Sequence, residues 1–129
     1  MVWCDGGARE NPGPSAYGYV VQGPDGSVLA EAAGSCGIGT ATIAEYRGVI
    51  AGLEAARAHG LSRLEVRLDS QLLVAQLSGE RAIKNRAVAE LAGRAQELAA
   101  TVGPVRWRWV RREQNARANA LVARALGID

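Results

Sequence analysis

The apolar residues of this chain change their spacing at Thr42, and that switch limits what it can fold into. Before it, short apolar runs are broken by Gly and Pro as strands are. After it, Ile43, Tyr46, Ile50 and Leu53 recur at the three-to-four-residue spacing of one helix face. Val2 to Cys4 is the first run and ends at Asp5-Gly6-Gly7, followed by the turn-rich stretch Ala8 to Ser15. Tyr17 to Gln22 reads as a strand, Pro24-Asp25-Gly26 as a hairpin-type turn, and Ser27 to Ala33 as the next strand. Three antiparallel strands are therefore expected to open the fold, with helices laid on them to bury an apolar face.

The first helix should stop at His59-Gly60. Leu64, Val66 and Leu68 then alternate with Glu65 and Arg67 in a fourth strand that stops at Asp69. Ser70 is placed to cap a short helix through Leu77, closed by Ser78-Gly79. Val88, Leu91, Ala95 and Leu98 mark a third helix ended by Gly103-Pro104, and Val105, Trp107 and Trp109 alternate with Arg106 and Arg108 in a last strand. Asn115 opens a final helix with Ala118, Leu121, Val122 and Ala125 inward. The order βββαβααβα predicts an α/β domain: a five-stranded mixed sheet flanked by helices, one domain over residues 1–129.

A chain of 129 residues, 48% apolar and 22% charged, buries enough surface to fold without disulfides or a structural metal. No apolar run approaches the roughly 18 residues of a membrane span, and the first residues lack the basic and apolar segments of a secretory signal. Cys4 and Cys36 have no metal-ligand spacing and read as reduced thiols of a cytoplasmic protein. His59 is the only histidine, placed before Gly60 where a cation suits a helix end, which argues against His-based nucleophilic chemistry. A net charge of +2 permits a nucleic-acid partner without demanding one.

Three carboxylates hold telling positions. Asp5 ends the first strand, Glu45 lies in the first turn of the first helix, and Asp69 ends the fourth strand, where ligands of α/β sheets usually bind. The other two aspartates, Asp25 in a turn and Asp129 at the end, have simpler explanations. Taken singly, Glu45 reads as a helix-start carboxylate and Asp5 as a turn residue. Converging carboxylates repel one another unless a cation joins them, and hard divalent cations, Mg²⁺ or Mn²⁺, are the natural complement.

These residues belong to four motifs. Asp5-Gly6-Gly7 is followed by Asn11-Pro12-Gly13-Pro14 and Tyr17-Gly18; then come Ala44-Glu45-Tyr46, Leu68-Asp69-Ser70-Gln71, and the stretch Trp109 to Leu121. In this order and spacing the chain resembles type 1 ribonuclease H over essentially its whole length. The resemblance implies a ribonuclease H-like fold and cleavage of the RNA strand of RNA/DNA hybrids with two metal ions per site, usually held by three Asp and one Glu. Carried onto this sequence, Asp5 would bridge both metals, and Glu45 and Asp69 would hold the one on the leaving-group side. The fourth carboxylate position is Asn119 here. Helical spacing puts Asn119 on one stripe with Asn115, Val122 and Leu126, so it should still face the site.

An amide oxygen brings a dipole instead of a charge, so activity is expected to survive in weakened form with a Mn²⁺ preference. A natural variant and an engineered substitution both account for Asn119, and Glu113 is a candidate for partial compensation. The resemblance also implies hybrid contacts by Gly7, Asn11, Thr40, Gln71, Asn85 and Asn115. Polar caps and turns explain Asn11, Thr40 and Asn85 equally well. Two family features are missing: the loop 111–114 has no His, and 78–84 passes into the next helix without a basic protrusion. The Arg106/Arg108 face reads as a solubilising edge strand, with Trp107 and Trp109 as core on its other face, although it would also attract a polyanion. No membrane and no obligate protein partner are expected, and the fold usually works as a monomer. A hybrid- or double-stranded-RNA-binding module without catalysis, and a different nuclease of the same fold, are the alternatives.

Overall fold

The structure, a computed structural model, describes residues 1–128; Asp129 lies outside the described residues. Its strands are β1 (Val2–Ala8), β2 (Gly13–Gln22), β3 (Val28–Gly39), β4 (Leu64–Leu68) and β5 (Val105–Trp109). They form one sheet in the order β3-β2-β1-β4-β5. The first three pair antiparallel, whereas β4 joins β1 and β5 joins β4 in parallel. The helices are α1 (Ala41–Ala58), α2 (Gln71–Leu77), α3 (Arg86–Val102) and α4 (Ala116–Leu126), the last preceded by a 3₁₀ turn over Arg112–Asn115. The five-stranded mixed sheet with helices is the architecture the sequence predicts. None of the helices among the described residues is long and apolar enough to cross a membrane.

The main core lies on one side of the sheet, where Val2, Cys4, Val66 and Leu68 meet Tyr46, Val49 and Leu53 of α1 and Leu91 and Ala95 of α3. Burying a side chain such as Leu53 or Leu68 contributes about 1.5–3 kcal/mol. On the other side, Ala16 packs under Val122 and Leu126 of α4. Each helix beginning on the main-core side has a side-chain cap. Thr40 Oγ1 accepts from the Ile43 N–H, Ser70 Oγ from Leu73 and Asn85 Oδ1 from Val88, at 3.1–3.3 Å. Such caps are worth about 1 kcal/mol apiece. Gly60, at φ 71°, takes the left-handed turn that ends α1, as its position after His59 predicts.

Several boundaries differ from the sequence reading. β1 does not end at Asp5 but continues through Gly6, Gly7 and Ala8, which pair with Tyr17, Ala16 and Ser15. The glycines look like a turn by propensity, yet the ladder with β2 holds them extended. β3 likewise runs past Ala33 to Gly39, with a register shift at Ser15/Ala16 and a left-handed Gly37 at φ 69° absorbing the irregularity. α1 starts at Ala41 behind the Thr40 cap, so Glu45 lies beyond its first turn. β5 is an edge strand, as its arginines suggest, but Trp109 is 42% exposed and Trp107 only half-buried, because among the described residues no strand pairs with the outer side of β5. Asn115 closes the 3₁₀ turn, and α4 begins at Ala116.

Candidate active site

Trp3 of β1 sits opposite Arg67 of the parallel β4. Two residues further along each strand come Asp5 and Asp69, so the two-residue period of extended chain brings both to one level and one side. Glu45 reaches the same place from α1, and Gly6 is what allows it. A Cβ at position 6 would run into the backbone of Ala44 and Glu45, so only glycine lets the helix lie this close. Three residues along α1, a Cβ at Gly48 would stand 2.6 Å from the Asp5 carbonyl oxygen, which closes the helix onto the strand from the other partner.

Close packing sets the electrostatics. Burial, and then the negative charge of Asp69, push the Asp5 carboxyl up to about 7, against the Gly6 N–H and the Arg112 guanidinium, which favour its ionised form. Glu45 is pushed up to about 8, again by burial first, with Asp5 and Asp69 adding to it and Arg112 opposing. Glu113 is exposed on the 3₁₀ turn and is not among the charges acting on either group.

Asn115 lies beneath these carboxylates and is only 1% exposed. Its Nδ2 donates to the Cys4 carbonyl at 2.9 Å and to Asp69 Oδ2 at 3.0 Å. From this buried position it ties Asp69 to the β1 backbone, and its Oδ1 is enclosed with no hydrogen-bond partner. Asn119 is half-buried in α4. Its Nδ2 donates to the Arg112 carbonyl at 3.0 Å, and its Oδ1 is enclosed with no hydrogen-bond partner.

Among the described residues, no three His, Cys, Asp or Glu side chains close on a single metal-sized point. The donor set nevertheless suits hard divalent cations: three carboxylates in mutual repulsion, two of them driven toward the protonated form, with the amide oxygens of Asn115 and Asn119 enclosed and unpartnered.

The remaining candidates are spread over several elements. Gly7 is in β1, opposite Ala16. Asn11 Oδ1 accepts from the Ala41 N–H at 3.2 Å and fastens the β1–β2 loop to the start of α1. Thr40 and Asn85 have their side-chain oxygens engaged as caps, and Gln71 is exposed at the start of α2. The sequence reading did not place Gly6, Gly48 or Arg112 in the site. Glycines four apart in α1, at 48 and 52, were the available signal for close helix-to-strand packing.

An open carboxylate edge beside a β1–β4 parallel pair, in a sheet of this order, defines a ribonuclease H-like domain. The chain belongs to the reverse transcriptase-like family, matched over residues 3–125, and within it to the type 1 ribonucleases H. It is 41% identical over 127 residues to the bifunctional protein Rv2228c of Mycobacterium tuberculosis, which covers 98% of this chain. The chain spans 35% of the length of that relative. The N-terminal RNase H domain of Rv2228c, solved as a fusion with maltose binding protein, superposes with a TM-score of 0.94 at 40% identity, covering 97% of this chain and 96% of that one. Ribonuclease HI of Halobacterium salinarum is 39% identical over 125 residues, which is 97% of this chain and 63% of that protein. LC11-RNase H1 in complex with an RNA/DNA hybrid gives a TM-score of 0.92 at 32% identity, covering 98% and 95% of the two chains.

Proposed function

We propose that this domain is an endonuclease that hydrolyses the RNA strand of RNA/DNA hybrids with Mg²⁺ or Mn²⁺, leaving 5′-phosphate and 3′-hydroxyl ends. The observation that carries this reading is the meeting of Asp5, Glu45 and Asp69 at the end of the β1–β4 pair, in a fold shared with an RNase H1 bound to such a hybrid. Asp5, Glu45 and Asp69 would hold two cations, with Asn119 Oδ1 as a neutral fourth donor. Bound there, divalent ions neutralise charge on the reacting phosphate and activate the attacking water.

The chain's own residues supply the rest. Asn115 fixes the orientation of Asp69 through its Nδ2. Arg112 brings a positive charge to the carboxylates, where a phosphate would lie. Gly7, Asn11, Thr40, Gln71, Asn85 and Asn115 would contact the hybrid, whose wide minor groove displays the 2′-hydroxyls that mark RNA. Recognition by shape and phosphate implies weak sequence preference and marked salt sensitivity.

The test is cleavage of an end-labelled RNA/DNA hybrid, beside single-stranded RNA and duplex DNA, in Mg²⁺ and in Mn²⁺. The protein should cut only the hybrid, faster in Mn²⁺, and Asp5→Asn should abolish cutting in both metals. Tight hybrid binding without turnover in either metal would leave a binding module in its place. Cleavage that survives Asp5→Asn would remove the site from the reaction.

A further inference from the structure

The sheet face that carries Asp5 and Asp69 continues behind them. Two residues back along β1 and β4, about 7 Å, stand the paired Trp3 and Arg67. Arg67 Cζ lies 4.6 Å from the centre of the Trp3 ring, and Trp3 Nε1 donates to Gln22 Oε1 at 2.7 Å, so the indole is held from two sides. Between it and α4 lies a cavity of about 190 Å³, lined also by Val20, Gln22, Gln114, Asn115 and Arg117. Arg67 has no place in that wall, so the cavity meets the ring away from the guanidinium. Gln114 Oε1 accepts from the Arg111 N–H at 2.9 Å, which leaves its Nε2 to donate elsewhere, and Asn115 Oδ1 is unpartnered. Asn115 also donates to Asp69 Oδ2, so the cavity adjoins the candidate active site. Beside Trp3 the same face is basic. Arg67 and Arg108 share Glu65, at 2.7 and 3.3 Å, while the exposed Arg106, opposite Glu65 in the β4–β5 register, has no ion pair among the described residues.

We infer that this face is a second nucleic-acid site, which takes a single strand extending from the hybrid: one unpaired base enters the cavity against Trp3, and the phosphates run over Arg67, Arg108 and Arg106. The cavity has the volume of about six waters, enough for one planar heterocycle and too small for a base pair. An oriented aromatic ring beside a cationic track is how proteins hold single strands, because every base has a face to stack and every nucleotide a phosphate to attract. Amide groups in the wall meet the polar edge of a base, which a purely apolar partner would leave unsatisfied. That the strand extends from a hybrid rests on the proposed nuclease reading; the cavity and the basic face do not.

Fluorescence anisotropy in chelator, which keeps the substrate intact, tests this with four probes: a blunt RNA/DNA hybrid, the same hybrid with a single-stranded extension on the RNA strand or on the DNA strand, and a single strand alone. An extension on at least one strand should tighten binding about tenfold, and the strand that gives the gain identifies whether RNA or DNA occupies the face. Trp3→Leu, which keeps apolar bulk, should remove most of that gain. Arg106→Glu, at an exposed position, should remove part of it and lower the salt dependence of the extended hybrid alone. Neither should change Kd for the blunt hybrid, and the Tm of each variant checks that it folds. Equal affinity for blunt and extended hybrids, or a gain that both variants retain, would overturn the second site. Weaker binding of the blunt hybrid by a folded Arg106→Glu protein would overturn it too, since the face would then belong to the duplex. The single strand alone should bind weakly and lose affinity in the same variants. A chain that binds this strand but no hybrid refutes the nuclease reading and keeps the face; one that cuts blunt hybrid with no gain from an extension does the reverse.

Discussion

Asn115 shows how much of the site depends on a single enclosed side chain. One amide nitrogen serves a backbone carbonyl of β1 and a carboxylate oxygen of Asp69, joining the strand that carries Asp5 to the residue that follows β4. Replacing it with alanine leaves two acceptors without a donor. Asn115→Ala should cost about 1–3 kcal/mol in urea denaturation, the price of unsatisfied buried polar groups. Because Asp69 would no longer be oriented, hybrid cleavage should fall roughly 10- to 100-fold, mainly in kcat, as measured by steady-state kinetics. A loss in KM alone would instead support direct substrate contact. The motif resemblance picked out this residue from the sequence but not its orientation, since the spacing Asn115 to Asn119 says which helix face they share and not how deeply each is enclosed.

The elements meet through glycine. α1 approaches β1 so closely that Gly6 faces the backbone of Ala44 and Glu45 while Gly48 faces that of Asp5, and this contact sets Glu45 beside Asp5. Gly6→Ala should force α1 away from β1, destabilise the fold by about 1–3 kcal/mol and lower cleavage more than the stability loss explains, because Glu45 moves with the helix. Denaturation and kinetics on the same preparation separate the two effects. The helices were readable in the sequence because apolar spacing, the Thr40, Ser70 and Asn85 caps and the Gly60 stop all agree. The strands were less so. The glycine-rich ends of β1 and β3 are extended only because a neighbouring strand pairs with them, and pairing partners are not local information. Trp109 was read as core for the same reason: alternation names a face, and only the sheet order shows that β5 has an open side.

For the molecule as a whole, the buried carboxylates make stability depend on pH. The folded state raises Asp5 to about 7 and Glu45 to about 8, whereas the unfolded chain releases both protons near pH 4. Between those limits the folded state binds more protons than the unfolded one, so stability falls as pH rises. In a chelator, Tm should therefore decrease steadily from about pH 5 to about pH 8, and Asp5→Asn should flatten the slope. Mg²⁺ or Mn²⁺ should raise Tm most at the upper end of that range, where both groups are ionised and a cation gains most. A flat Tm profile in chelator would show that the carboxylates are less enclosed than the structure has them.

What the sequence determined by itself is local or periodic: the switch from strand to helix spacing, the helix caps and stops, the order of elements, and the four motifs that put Asp5, Glu45, Asp69 and Asn119 in register. Each is written in a few neighbouring residues. What only the tertiary structure decided is how these parts face one another. It placed Asn115 under the site, aimed the Asn119 amide at Arg112, and let Gly6 admit α1 beside Asp5. Those outcomes depend on burial and on contacts between residues as far apart as Cys4 and Asn115, which no spacing along the chain encodes.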